Sequence, residues 1–577
     1  MKKLLALLLV LVTLLSLAAC GAGETGETEQ TGDANLAYGI PSKFNENPQW
    51  DGTLPLVAEG EDNVITIGVQ ANANVTSFDD NKYTQWLEEQ TGLDLQFVQF
   101  PGTSKDAATQ ISLMIAGGEE LPDVLYSFSG IKATAKEYIL DGYFVDLAPY
   151  FKTDAFYTKQ AFDLYYGESE NKDQMEKFII DSISDPVNDT VVGFPTVFNN
   201  PSDGNMGHIW INQDWLNALG LTAPTNIDEL YDVLVAFRDG DPNGNGIKDE
   251  IPMMGLADTD LWSIVQYVSN AFVYEYDRLK FTVEDGVVSA PYHTDEYRQS
   301  LIYIRKLVDD GLLSSMAWTA SNSEVKAMIN PTGDFTVGIV AAPGDTAFEG
   351  EHQSMFTYVP LAPLADATGK GGWAPLSPDR SSYATYITAD CDNVQLAFRL
   401  LDFISSPESY LRHRWGEEGV DWKYVDESNT LPGMLGGEAR IEVMNPSTYS
   451  EVNNATWHNN SLLASEAYWQ YAIDLEDGSW KAQLYKNLQT IVENYNNTKQ
   501  PAETLAIVNC TEDNEEAYTD ANAEITSYFK TARAEFCTGV RNPSDDADWN
   551  SYLADLESLG YNDVWIAAAQ TSYNMSK

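Results

Sequence analysis

The sequence predicts an α/β protein built as two large lobes, and two observations carry that expectation. At 577 residues the chain exceeds what one ordinary hydrophobic core organises. Its first ordered stretch then reads strand, helix, strand, helix, strand, the pattern of a parallel sheet covered by helices. Val64-Ile65-Thr66-Ile67-Gly68-Val69 is a β-branched run suited to a buried strand. A helix is expected around Lys82 to Gln90, ended near Gly92, and Leu95 to Phe100 forms the next strand. A second helix covers Ala107 to Ala116 and closes at Gly117-Gly118, ahead of a third strand at Asp123 to Tyr126. Open parallel sheets bind ligands outside the carboxyl ends of their strands. That rule places Gln70 to Ser77 and Ser127-Phe128-Ser129 on the rim of a site.

Before this ordered region lies a leader. Met1-Lys2-Lys3 is followed by an apolar run from Leu4 to Ala19, shorter than a mature membrane-spanning helix needs. Residues 1–19 therefore read as a secretory signal. Leu17-Ala18-Ala19-Cys20-Gly21 resembles the bacterial lipobox, which implies acylation of Cys20 and cleavage just before it. An ordinary signal peptide that happens to end in Cys is the alternative. Residues 20–60, rich in Gly, Glu, Thr, Asn and Pro, are expected to be a flexible tether. The lipid would be the only membrane attachment, on the outer face of a cell of Gram-positive type.

Composition narrows the partners. There are 33 basic against 87 acidic residues, a formal charge of −54, and a field of that sign repels nucleic acid and anionic ligands. The 14 Trp and 31 Tyr combine a flat apolar face with a polar edge, which suits a half-wet ligand cleft. Besides Cys20 the cysteines are Cys391, Cys510 and Cys537. Apolar residues between Glu512 and Phe536 recur at helical spacing, with Thr511 a candidate cap and Gly539 a candidate stop. A straight helix of that length holds Cys510 and Cys537 roughly 40 Å apart. A disulfide tolerates only about 7 Å between Cα atoms. Three buried or inert thiols are expected.

Five phrases, in order, resemble family 1 extracellular solute-binding proteins. They are Ile115 to Val124 (IAGGEELPDV), Trp210 to Leu221 (WINQDWLNALGL), Pro224 to Leu230, the turn Trp415 to Trp422 (WGEEGVDW), and the closing stretch from Trp549 to Tyr573. Asn212 stands where that family often has Arg. The resemblance implies a periplasmic-binding-protein-like fold, with two lobes joined by crossing segments and a ligand cleft between them. Residues 61–197 with 384–430 would form lobe 1, and residues 198–383 with 431–577 lobe 2. Phe194 to Phe198 would be the first crossing and Tyr383 to Thr388 the return, followed by a helix at Val394 to Ile404. A third crossing would lie beyond the Gly416–Gly419 turn. Phe335 to Val340 reads as a buried strand of lobe 2. The implied function is capture of a neutral sugar or oligosaccharide, as a monomer, for delivery to an ABC permease.

Asp241-Pro242-Asn243-Gly244-Asn245-Gly246-Ile247-Lys248-Asp249-Glu250 carries the most explicit chemistry. Oxygen donors stand at the first, third and fifth places of a calcium loop, glycine at the sixth, and the Ile247 carbonyl at the seventh. The usual closing Glu is replaced by Pro252, so Asp249 and Glu250 would complete the shell of a structural Ca2+ ion. A metal-free Gly/Asn turn is the other reading. No catalytic motif is found. His208, His293, His352, His413 and His458 show no metal spacing, and no nucleophile elbow or Walker loop occurs. A secreted glycan hydrolase or lyase, and a calcium-dependent surface adhesin, are the alternatives to a non-enzymatic binder. For a sugar, flat rings and hydroxyl partners are expected at Phe128, Phe198, Trp210, Trp262, Trp318 and Trp373, with Asn74, Asn199 and Arg380.

Overall fold

A computed structural model gives the structure of the chain. It describes residues 44–575 except 59, 61–62, 167–171, 186–187, 189, 199–207, 257–262, 278, 343–346, 349–351, 375–379, 426–438, 446–447, 449–450, 455–456, 458–477, 506–507 and 512. The signal segment, Cys20 and the tether as far as residue 43 lie outside the described residues.

The first half opens as the spacing predicts: β1 (Val64–Gln70), α1 (Lys82–Thr91), β2 (Asp94–Phe100), α2 (Ser104–Gly117) and β3 (Val124–Leu125). The Asn81 side chain accepts the Tyr83 and Thr84 amides to start α1, and left-handed Gly92 ends it. β1 is central and parallel to both β2 and β3. Gly68 is required there, because a Cβ would come within 2.9 Å of Leu125 and 3.0 Å of Phe100. The chain continues through β4 (Phe194–Phe198) to a second sheet, made by β5 (Ile209–Asn212), β6 (Ile251–Gly255), β7 (Val337–Ala341) and β8 (Tyr358–Pro360). It returns on β9 (Arg380–Ile387) and α3 (Val394–Ile404), the helix expected at that position.

The first sheet has the order β2-β1-β3-β9-β4, with β9 antiparallel to both its neighbours. The second runs β8-β5-β7-β6. One apolar core combines residues from Phe44 to Phe194 with Tyr383 to Ile404 and Trp457. Two further clusters combine Ile209 to Ala374 with Leu484 to Tyr573. No residue is shared between the first core and the other two.

Two expectations need correction. The tether does not extend to residue 60. Phe44 is 1% exposed and its amide donates to Glu176. The amides of Asn45, Asn47 and Gln49 donate to the carbonyls of Phe151, Lys152 and Thr153. Trp50 meets Phe156 and Tyr157 edge-on, and Tyr157 donates to the Gly52 carbonyl. A few large rings anchor a segment whose average composition reads as linker. Trp457, assigned by the sequence to lobe 2, packs instead in the first core against Tyr83, Phe97 and Tyr126.

The long helix near the carboxyl end runs Glu515–Thr538, and left-handed Gly539 caps it. Its N-cap is Asn514, whose side-chain oxygen accepts from Thr511, so Thr511 is not the cap. No described cysteine is in a disulfide. Burial pushes the Cys391 thiol up to about 12 and the partly buried Cys510 thiol up to about 11, and it also raises Cys537. All three are poor nucleophiles. Asn212 is fully buried and accepts the Trp215 amide at the start of the next helix. A structural cap thus occupies the place where, on the sequence resemblance, Arg is often found. Among the described residues no helix is long and apolar enough to cross a membrane.

Candidate functional site

The carboxyl edge of the first sheet is built by three chain passages. β1 stops at Gln70 and β3 at Leu125. β9 pairs with β3 only at Tyr386 and Ile387, then continues past that edge paired with β4, as far as Arg380 opposite Phe198. This two-stranded ribbon provides the first two crossings. Phe198 leads through 199–207 to β5, and Ala374 leads through 375–379 to Arg380. The third connection leaves Trp457 through 458–477 and reaches the helix Trp480–Asn496. Sheet direction places the start of β5 and the carboxyl ends of β6 and β7 at one end of the second sheet.

On this edge the rim carries three unusual features. Gln70 closes β1 with its side-chain nitrogen buried and without a hydrogen-bond partner among the described residues. A buried donor left in that state costs about 1–3 kcal/mol. Ser127 adopts a left-handed backbone, φ 65°, with its amide donating to Thr385 Oγ1 at 3.1 Å. Strain of this kind collects at binding rims. The loop after β1 turns on Asn72, whose side-chain oxygen accepts the Asn74 amide at 2.9 Å. Beyond the rim turn, Lys132 stands 4.9 Å over the Tyr383 ring on the ribbon. Burial first, and Lys136 second, hold its ammonium below the ordinary lysine range.

The residues expected to touch a sugar divide. Asn74 is half-buried on the rim loop, where its carbonyl accepts the Asn453 amide. Trp373 is half-buried at the return into the ribbon. Its amide donates to the Asn270 carbonyl, and Lys499 Nζ lies 3.7 Å over its ring. Trp318 packs part-buried against the second core. Phe128 and Trp210 are placed differently from the expectation. Phe128 is 1% exposed and meets Phe100 edge-on at 5.1 Å. Trp210 is fully buried, donates to the Ala342 carbonyl at 2.9 Å and packs on Phe348. Neither ring offers a face to a ligand in this structure, because alternation along a strand and the turn after β3 direct both inward. Phe198 and Arg380 are described as backbone only, and Asn199 and Trp262 lie outside the described residues. Gln70 and Asn453 are the polar rim residues not singled out by side-chain chemistry. Gln70 stood inside the expected rim segment, whereas nothing local in the sequence marks Asn453.

The Asp241–Glu250 loop has the backbone such a metal site needs. Asp241 has φ 46°, and Gly244 and Gly246 have φ 72° and 74°. The Gly246 amide donates to the Asp241 carboxylate at 3.1 Å, the Asn245 amide to Asn243 Oδ1 at 3.1 Å, and the Ile247 amide to Asn245 Oδ1 at 2.7 Å. These bonds turn three oxygen-bearing side chains inward. The Asp249 carboxylate accepts from both Asn243 and Asn245 at 3.4 Å. Glu250 Oε1 is buried with no partner among the described residues, an arrangement a cation relieves. Among the described residues, no three of His, Cys, Asp and Glu come together as a metal-ligating group. Any cation here therefore depends on the neutral Asn and carbonyl oxygens as well as on the carboxylates. The residues fit a calcium ion on that condition.

Comparison with known proteins fits this architecture. Residues 69–410 match the family described as bacterial extracellular solute-binding protein. The fructooligosaccharide ABC transporter substrate-binding protein FusA of Streptococcus pneumoniae serotype 4 is 26% identical over 379 residues, covering 63% of this chain and 65% of FusA, just under two thirds of that relative's length. Lipoprotein LipO of Bacillus subtilis strain 168 is 23% identical over 529 residues, 87% of this chain and 93% of LipO. A solved structure of the S. pneumoniae FusA EF-hand mutant with fructo-nystose superimposes with a TM-score of 0.65 at 20% identity, covering 89% of this chain and 99% of that one. The fold is the two-lobe periplasmic-binding-protein-like fold, and FusA is an ABC transporter substrate-binding protein. The chain belongs to the bacterial extracellular solute-binding protein family.

Proposed function

We propose that this protein is a lipid-anchored extracytoplasmic binder of neutral oligosaccharides that hands its ligand to an ABC permease and performs no chemistry on it. The observation that carries the reading is the Gln70 side-chain nitrogen at the carboxyl end of β1, buried and without a hydrogen-bond partner among the described residues. A sugar hydroxyl is a neutral acceptor that satisfies it without bringing charge into a cleft set in a strongly negative molecule. The fructooligosaccharide named for FusA supports the same ligand class. Trp373, half-buried with Lys499 over one face of its ring, and the half-buried Asn74 are the further candidates for ligand contact.

Calorimetry with a panel of fructo-, gluco- and galacto-oligosaccharides tests this. One member should bind with a micromolar dissociation constant or better, about −8 kcal/mol. The affinity should change little between low and high salt, and the ligand should be recovered uncleaved. Tighter binding of a polyuronate, a steep salt response or conversion of the ligand would each overturn the reading.

The anchor is Cys20. In a Gram-positive host the wild-type protein should sediment with membranes, and Cys20→Ala should move it to the medium or leave it unprocessed. Unchanged sedimentation of the variant would refute lipid anchoring, which the LipO likeness supports. A structural calcium ion completes the proposal. Asp241, Asn243, Asn245, the Ile247 carbonyl, Asp249 and Glu250 would hold it, and when bound it supplies charge neutralisation to the loop.

A further inference from the structure

We propose that Asn453 is the positioning residue of the ligand rim, pegging the loop after β1 to the third interlobe connection. The inference rests on the sugar-binding reading above. Asn453 has a left-handed backbone, φ 56°, and every polar group it owns is used on residues 74–82. Its amide donates to the Asn74 carbonyl at 2.8 Å and its carbonyl accepts the Lys82 amide at 3.0 Å. Its side-chain oxygen accepts the Thr76 amide at 2.8 Å and the Ser77 amide at 3.3 Å. Its side-chain nitrogen donates to Thr76 Oγ1 at 2.9 Å. The rim loop is also held by Val75, buried in the first core, and by Phe78, which stacks on Phe97 at 4.5 Å, while Asn453 supplies long-range side-chain hydrogen bonds to Thr76 and Ser77 between them.

The peg itself is firmly seated. Four residues on, Trp457 is 1% exposed among Tyr83, Phe97 and Tyr126 of the first core. Arg412 reaches both the Lys82 and Asn454 carbonyls, fixing the same junction from another helix. Beyond Trp457 the chain passes through 458–477 to the second lobe. Asn453 thus joins the loop carrying Asn74 to the segment that Trp457 seats in the first core. The residue choice follows: Asn tolerates the left-handed backbone and brings both an acceptor and a donor.

Two variants separate positioning from folding. Asn453→Gly keeps the backbone conformation and its two main-chain bonds while removing the side-chain peg. Asn453→Asp keeps the acceptor, with Thr76 Oγ1 turning donor. In ligand-free protein, hydrogen exchange over residues 72–80 should accelerate about tenfold in Asn453→Gly. It should stay close to wild type in Asn453→Asp. Affinity for the oligosaccharide that wild type binds should fall about tenfold in Asn453→Gly and be largely restored by Asp, with thermal midpoints within about 3 °C of wild type. Unchanged exchange in Asn453→Gly overturns the proposal, as does a loosened loop with unchanged affinity. If wild type binds no oligosaccharide, the sugar reading fails by that result alone, while the exchange measurement still decides whether Asn453 pegs the loop.

Discussion

Replacing Arg533 by Ala should destabilise the second lobe by about 3–5 kcal/mol, the usual cost of removing one partner from a buried ion pair. Arg533 is 2% exposed on the long Glu515–Thr538 helix, among carboxylates that are themselves buried. Its guanidinium donates to Glu275 and, at 3.0 Å, to Asp277 Oδ2, while Lys530 approaches Asp277 at 3.3 Å. Burial outweighs the cation at Glu275 and holds that carboxyl above its usual range. At Asp277 burial also pushes upward, but Arg533 and Lys530 together more than offset it and leave the carboxyl lowered. Without Arg533 both acids would prefer their protonated forms. The folded variant would then bind more protons than the unfolded chain, so its stability deficit should shrink as the pH falls from 7 toward 5. Urea unfolding of wild type and variant at both pH values measures this. A loss below about 1 kcal/mol at neutral pH, or a deficit that grows on acidification, would contradict the arrangement. The effect should also reach the site. Glu275 exchanges main-chain hydrogen bonds with the Asn270 side chain, and Asn270 in turn accepts the Trp373 amide.

How much of this was legible in the sequence depended on the range of the interactions. β1, α1 and β2 follow from local signals, among them a β-branched run and a Gly stop, whereas α3 is implied by the family resemblance. The parallel sheet and its carboxyl edge follow from the order of those elements. What failed was decided by contacts remote in sequence. Phe128 and Trp210 are aromatic, near the expected rim and equally good as core, and only the partners Phe100 and Phe348 show which role they fill. The segment from Phe44 reads as linker because its fixing bonds come from Phe151 to Thr153 and from Glu176, more than 100 residues away. Asn453 could not be found because its significance is a left-handed backbone placed beside Thr76. The Asp241–Glu250 turn was legible for the opposite reason, since the groups that shape it lie within one short segment.

That loop carries the other large expected effect, namely that calcium should raise the unfolding temperature of the second lobe and that Asp241→Ala should abolish the increment. Asp241, Asp249 and Glu250 bring three carboxylates into one short turn, and Gly244 and Gly246, both left-handed, leave its backbone with little intrinsic rigidity. The amide donors from Gly246, Asn245 and Ile247 stabilise the inward-turned oxygens only in part, because Glu250 Oε1 has no partner among the described residues. The loop joins the helix Ile227–Asp239 to β6, and Asn243 also donates to the Phe335 carbonyl just before β7. An ion that fixes the turn therefore fixes the entry to two core strands. Binding to the native loop but not to the unfolded chain adds about 2.7 kcal/mol at free calcium 100 times its dissociation constant. For a lobe of this size that corresponds to roughly 5–10 °C. Scanning calorimetry of wild type and Asp241→Ala, each with calcium and with chelator, should show the shift in wild type only. Sugar affinity measured below both transitions should be the same with calcium and chelator, because the loop is not part of the rim at Gln70 and Asn74. Equal wild-type midpoints in the two conditions would show the loop to be a metal-free turn, and an equal shift in Asp241→Ala would place the ion elsewhere.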